Sequence, residues 1–149
     1  MSAPARESAL AYLEGHNVMT LSTCGPEGPL AAAVFYASDG FTLYFLSSPA
    51  TRHGRNLAAD PRVAAAIHED YRDWREIKGI QLEGRAFVLD GDEREAAARR
   101  YARKFPLIAD PKEHEIQRAL SGIAWHRLVS ERLYFIDNAL GFGHRERVL

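Results

Sequence analysis

Apolar and polar residues alternate over residues 18–24 (VMTLSTC) and again over 41–47 (FTLYFLS), where Phe41, Leu43 and Phe45 fall on one face. A period of two marks a strand with one buried side. Residues 30–37 (LAAAVFYA) are a nearly continuous apolar run, short enough to be a buried strand. Residues 63–68 continue the series, and 77–89 predict a long strand in which Gly84 marks a bulge or a close backbone approach. Two last strands are expected at 123–129 and 132–140. Gly25-Pro26-Glu27-Gly28 and Ser38-Asp39-Gly40 read as turns between neighbours.

Helical spacing is confined to short stretches. Residues 3–14 predict an amphipathic helix with Leu10 and Leu13 on one face and Gly15 as its stop. A helix over about 51–59 interrupts the strands, and 69–75 (EDYRDWR) is a charged loop. Asp92-Glu93-Arg94-Glu95 resembles a capping box opening a helix that stops before Pro106. Asp110, Pro111 and Glu113 suit the N-cap, N1 and N3 positions of another helix ending by Gly122. Six or seven closely spaced strands joined by hairpins and broken by short helices predict a mainly β fold, an antiparallel barrel rather than a doubly wound sheet.

Composition narrows the function classes. The chain has 149 residues, one domain's worth, with a 46% hydrophobic fraction that supports a real core. Lys plus Arg is 19 and Asp plus Glu is 20, so there is no basic surplus for nucleic acid. Cys24 is the single cysteine and leaves no internal disulfide. The N-terminus lacks the pattern of a signal peptide, no run of about 20 apolar residues would span a membrane, and the expected location is the cytoplasm. The six histidines show no metal-ligand spacing, so no metal is expected.

The chemistry concentrates in SSPATRHGRNL. Cations are unfavourable at a helix N-terminus, which already carries about half a positive charge. Here Arg52, His53 and Arg55 crowd the first turn, behind the hydroxyls of Ser47, Ser48 and Thr51. Free N–H groups, hydroxyls and a forked guanidinium together suit a phosphate or carboxylate. Solvent-facing cations would explain the same residues at a cost of a few tenths of a kcal/mol each. Tyr36, Tyr71, Trp74 and Trp125 could line a flat ligand or simply pack. The tail DNALGFGHRER sets two glycines around Phe142 and follows them with His144, Arg145 and Arg147.

The strand ending FLSS, the run PATRHGRNLAADPRVAAAI and the strand IKGIQLEGRAFVL together resemble the pyridoxamine 5′-phosphate oxidase-like family of FMN-binding split barrels, over roughly residues 10–145. The tail YFIDNALGFGHRE is similar to a small bacterial branch of it. The resemblance implies a single domain over 1–149, a six-stranded antiparallel split β-barrel, and a homodimer with FMN at the subunit interface. It implies phosphate contacts from Ser47, Ser48, Thr51, Arg52 and His53, with Arg55 second. His53 stands where the family has lysine, so phosphate affinity is expected to weaken as pH rises through neutrality. Residues 33–36 match the strand whose backbone follows the flavin ring, with Val34 and Tyr36 along it; Ala31 and Tyr36 stand where the family has a flanking Arg and Lys. The family's glutamine falls near Gly79, and Gln81 lies two residues on, on the same strand face. Trp125 is expected to approach the cofactor. The family's C-terminal Arg/His set for pyridoxamine phosphate has no match here, which implies another small-molecule substrate. The expected activity is FMN-dependent redox chemistry with no catalytic residue assigned; the alternative is a non-catalytic flavin, deazaflavin or haem carrier, for which His126 and His144 would speak.

Overall fold

A computed structural model describes residues 2–149. Its strands are β1 (Val18–Gly25), β2 (Gly28–Phe35), β3 (Ala37–Asp39), β4 (Thr42–Ser47), β5 (Arg62–His68), β6 (Lys78–Val88), β7 (Ala124–Asp137) and β8 (Arg145–Arg147). The helices are α1 (Ala3–Gly15), α2 (Arg52–Ala59), α3 (Gly91–Lys104) and α4 (His114–Leu120). The strands run antiparallel in the order β2-β1-β5-β6-β7-β4-β3, with β8 added to β7. The sheet curls so that alternate residues of each strand meet inside. Met19 and Leu21, Leu43 and Phe45, Ile67, Ile80, Leu128 and Leu133 form that interior. α1 covers one end through Ala9 and Leu13. A second cluster, Trp125 with Leu89, Ala97 and Tyr101, holds α3 against the outside of β7. No described helix is long and apolar enough to cross a membrane.

Several local expectations change. β2 is not a buried strand: Ala31, Ala33 and Phe35 are exposed, Phe35 by 56%, because β2 is an edge strand whose outer face is touched only at its end, where Phe35 meets the Phe105 ring edge-on at 5.3 Å. The last two predicted strands are one 14-residue strand, β7. The expected break between 129 and 132 does not occur: Gly84 pairs with Ser130 and Glu83 with Arg132, so Glu131 is absorbed as a bulge. A Cβ on Gly84 would lie 2.1 Å from the Val129 carbonyl oxygen, which is why the bulge takes glycine. α3 begins at Gly91 after Asp90, without a side-chain cap bond. α4 begins at His114, because the Asp110 carboxylate accepts from the Lys112 N–H (2.9 Å) and closes a turn instead of capping a helix. The tail folds back as β8, and Val148 is fully buried beneath it.

Candidate anion-binding site

β4 ends at Ser47, and after Ser48, Pro49, Ala50 and Thr51 the chain enters α2 at Arg52. Thr51 caps that helix. Its hydroxyl accepts from the Gly54 N–H (3.1 Å) and donates to the Ser48 carbonyl (2.8 Å). A Cβ at position 54 would stand 2.1 Å from the Ser48 carbonyl oxygen, so glycine alone lets the first turn lie on the end of β4. The far side of α2 is anchored inside: Asn56 Nδ2 donates to Thr23 Oγ1 (3.0 Å), and Leu57 joins the barrel core. The cap satisfies Gly54, but the Arg52 and His53 N–H groups have no partner within the helix. No acidic residue occupies the first turn.

The side chains around this terminus divide by role. Ser47 is 3% exposed and its hydroxyl has no hydrogen-bond partner among the described residues. Ser48 Oγ accepts from the Ala50 N–H (3.3 Å), which leaves its proton free. Arg52 leans on Glu27, Nε to carboxylate at 3.3 Å and Nη2 to the carbonyl at 3.4 Å. That contact is solvent-exposed and weak enough to exchange for a better anion. Arg55 bends back to the Ala50 carbonyl (2.6 Å) and braces the loop. A buried hydroxyl without a partner, unpaired N–H groups and a loosely held guanidinium fit a phosphate group.

The other anticipated residues lie elsewhere. Val34 faces inward and packs against the core. Tyr36 is fully buried and its hydroxyl donates to the Leu13 carbonyl (2.7 Å), so it has no face to offer a ligand. Trp125 points away from the barrel interior, edge-on to Tyr101 beneath α3. The expectations for Tyr36 and Trp125 are corrected: in this structure α1 covers Tyr36, just past the end of β2, and α3 covers the face of β7 that carries Trp125. What β2 leaves open is its outer backbone edge and the face of Ala31 and Ala33. Gln81 is exposed on the outside of the sheet, in a cross-strand row that runs Ala33, Thr20, Ala66, Gln81, Tyr134. A shallow cavity of about 310 Å³ opens over this row. Arg145 closes it from β8, its guanidinium 4.2 Å above the Tyr134 ring and 3.4 Å from Gln81 Oε1. His126, noted in sequence only as a possible haem ligand, proves to be buried beside Phe45.

Burial pushes His53 below the ordinary histidine range, and it does the same to His126, where the Ala124 backbone opposes the shift and the nearby His53 adds to it. Without a bound anion His53 is therefore neutral at neutral pH, and the loss of its charge lies on the acid side rather than across neutrality. The unfolded chain protonates both near pH 6.5, so their contribution to stability is present above that value and lost as pH falls below it. Thermal melts are expected to show a lower Tm at about pH 5.5 than at about pH 7.5. The Asp60 carboxyl, held at about 2 by the Arg62 side chain, acts only in a more acid window.

Comparison with known proteins agrees with this fold. The family model described as pyridoxamine 5′-phosphate oxidase matches residues 5–136. The UPF0306 protein of Photorhabdus laumondii is 32% identical over 136 residues, covering 90% of this chain and 88% of its own. A solved structure of a haem binding protein from Mycobacterium smegmatis superposes with a TM-score of 0.76 at 26% identity, covering 99% of this chain and 58% of that one. A putative pyridoxamine 5′-phosphate oxidase from Listeria innocua superposes at 0.66 with 18% identity, covering 87% and 96% of the two chains.

Proposed function

The chain belongs to the pyridoxamine 5′-phosphate oxidase family, and from that membership we propose that it is an FMN-dependent oxidoreductase acting on a small molecule. The observation that carries the reading is the Ser47 hydroxyl, buried without a partner at the N-terminus of a helix whose first turn holds Arg52 and His53. Ser47 would donate to one phosphate oxygen, Arg52 would leave Glu27 for another, and the first N–H groups of α2 would face a third. The exposed edge of β2 supplies peptide groups for the ring. Bound flavin would supply the electron transfer through its ring; the chain would bind, orient and enclose it.

The same proposal includes a second copy of the chain. The outer row is built of small side chains, Thr20, Ser22, Ala64 and Ala66, which let another sheet approach closely, and Val18 and Phe35 are exposed beside it. A partner there would enclose Gln81 and Arg145 next to a cofactor. Arg52→Ala tests the phosphate contact. FMN affinity is expected to fall at least tenfold, about 1.4 kcal/mol, the loss of one charge-assisted hydrogen bond. An unchanged affinity in fluorescence titration would place the phosphate elsewhere. A haem carrier on this barrel is the second reading, favoured by the haem binding protein at 26% identity. His144, partly exposed ahead of β8, is its available imidazole, and a Soret band on adding haemin is its sign.

A further inference from the structure

The proposed phosphate site has an inner wall on β7. Phe45 lies opposite His126 in the β4–β7 ladder, and Ser47 opposite Ala124. Residues opposed across a ladder share a face, which makes Ser47 and His126 diagonal neighbours, typically about 7 Å apart, on the interior side. The His126 ring lies flat on Phe45, centroids 5.0 Å apart and planes 10° apart. It is 4% exposed, and its Nδ1, like Ser47 Oγ, makes no hydrogen bond among the described residues. Arg127 Nε and His144 Nε2 are also buried without a hydrogen bond, but each of those side chains stands beside a carboxylate, Glu93 at 3.2 Å and Glu146 at 3.4 Å. Ser47 Oγ and His126 Nδ1 stand beside no carboxylate among the described residues; the Ala124 backbone lies near the imidazole without closing a well-formed hydrogen bond to Nδ1, and His53 is near enough to His126 for their charges to oppose. Buried polar atoms are costly to leave unpaired, so a partner from outside the chain is the economical explanation.

We propose that His126 is a phosphate-binding residue: its Nδ1–H and the Ser47 hydroxyl hold the inner oxygens of the flavin phosphate, across from Arg52 and the N–H groups of α2. This rests on the flavin reading of the site. A neutral imidazole suffices, because it donates one N–H and needs no charge. Phe45 fixes the ring plane, so that the donor direction is set before a ligand arrives.

The test uses the full chain titrated with FMN and with riboflavin, which lacks the phosphate. His126→Phe keeps the stack on Phe45 and removes the nitrogen; His126→Asn returns an amide near the Nδ1 position. His126→Phe is expected to weaken FMN about tenfold and change riboflavin less than about twofold, and His126→Asn to recover most of the loss. Unchanged FMN affinity in His126→Phe, or equal losses for both flavins, overturns the proposal and leaves the flavin reading standing on the unmutated protein's preference for FMN. An unmutated protein that does not distinguish the two flavins overturns both. Should His126→Phe fail to fold, the ¹⁵N imidazole signals of the unmutated protein decide: the His126 Nδ1 resonance is expected to move with FMN and with inorganic phosphate but not with riboflavin, and a stationary signal overturns the proposal.

Discussion

Truncating Phe45 to alanine is expected to destabilise the protein by about 3–5 kcal/mol, the range for deleting a fully buried aromatic ring. Phe45 has no exposed surface and sits among Leu43, Leu128 and the other interior residues. The loss has two parts, the transfer term for the ring and the cavity left in a sheet that cannot collapse around it. At about 2–4 °C per kcal/mol for a chain of this size, Tm should fall by about 10 °C. Phe142→Ala is the control: Phe142 is 82% exposed, and its removal should change stability by less than about 0.5 kcal/mol. Calorimetry that finds the two variants alike would mean the barrel interior is not where the structure puts it. The Phe45 variant should also bind flavin poorly even below its Tm, because Phe45 backs the His126 ring.

Gly54→Ala is expected to cost about 1–3 kcal/mol, as overpacking does, for the addition of one methyl group. The new Cβ would lie 2.1 Å from the Ser48 oxygen, 3.0 Å from its carbonyl carbon and 3.1 Å from Pro49 Cα. All three atoms are backbone and none can rotate away. Relief requires the first turn of α2 to lift from the end of β4, which separates the Arg52 and His53 N–H groups from Ser47. FMN affinity should therefore fall by at least tenfold, about 1.4 kcal/mol. Gly15→Ala makes the contrast within a helix: nothing lies within 4 Å of its Cβ position, so the change should be neutral or slightly stabilising. Chemical denaturation and flavin titration of both variants check the pair. A Gly54→Ala protein with unaltered stability would show that α2 and β4 are not in contact there.

The alternation over 18–24 and 41–47 was enough to place β1 and β4, and the cations behind three hydroxyls were enough to find the first turn of α2. Those signals are local: side-chain parity and capping chemistry act within a few residues. What sequence could not show depends on which element covers which face. The exposure of Tyr36, between β2 and β3, and of Trp125 on β7 is decided by α1 and α3, distant in the chain. The continuity of β7 through Ser130-Glu131-Arg132 depends on a glycine in β6, 46 residues from Ser130 in the pairing Gly84–Ser130. His126 escaped for the same reason. Its parity with Leu128 was visible, but its nearness to Ser47 follows from the β4–β7 register, which only long-range pairing sets.

The central claim is that the N-terminus of α2 holds a flavin phosphate. Titration of the purified full chain with FMN and with riboflavin, followed by flavin fluorescence, measures that contact directly. A yellow complex is expected, with FMN bound at least tenfold more tightly than riboflavin, about 1.4 kcal/mol for the phosphate. Equal affinity for the two flavins, or a protein that takes up neither, would contradict it.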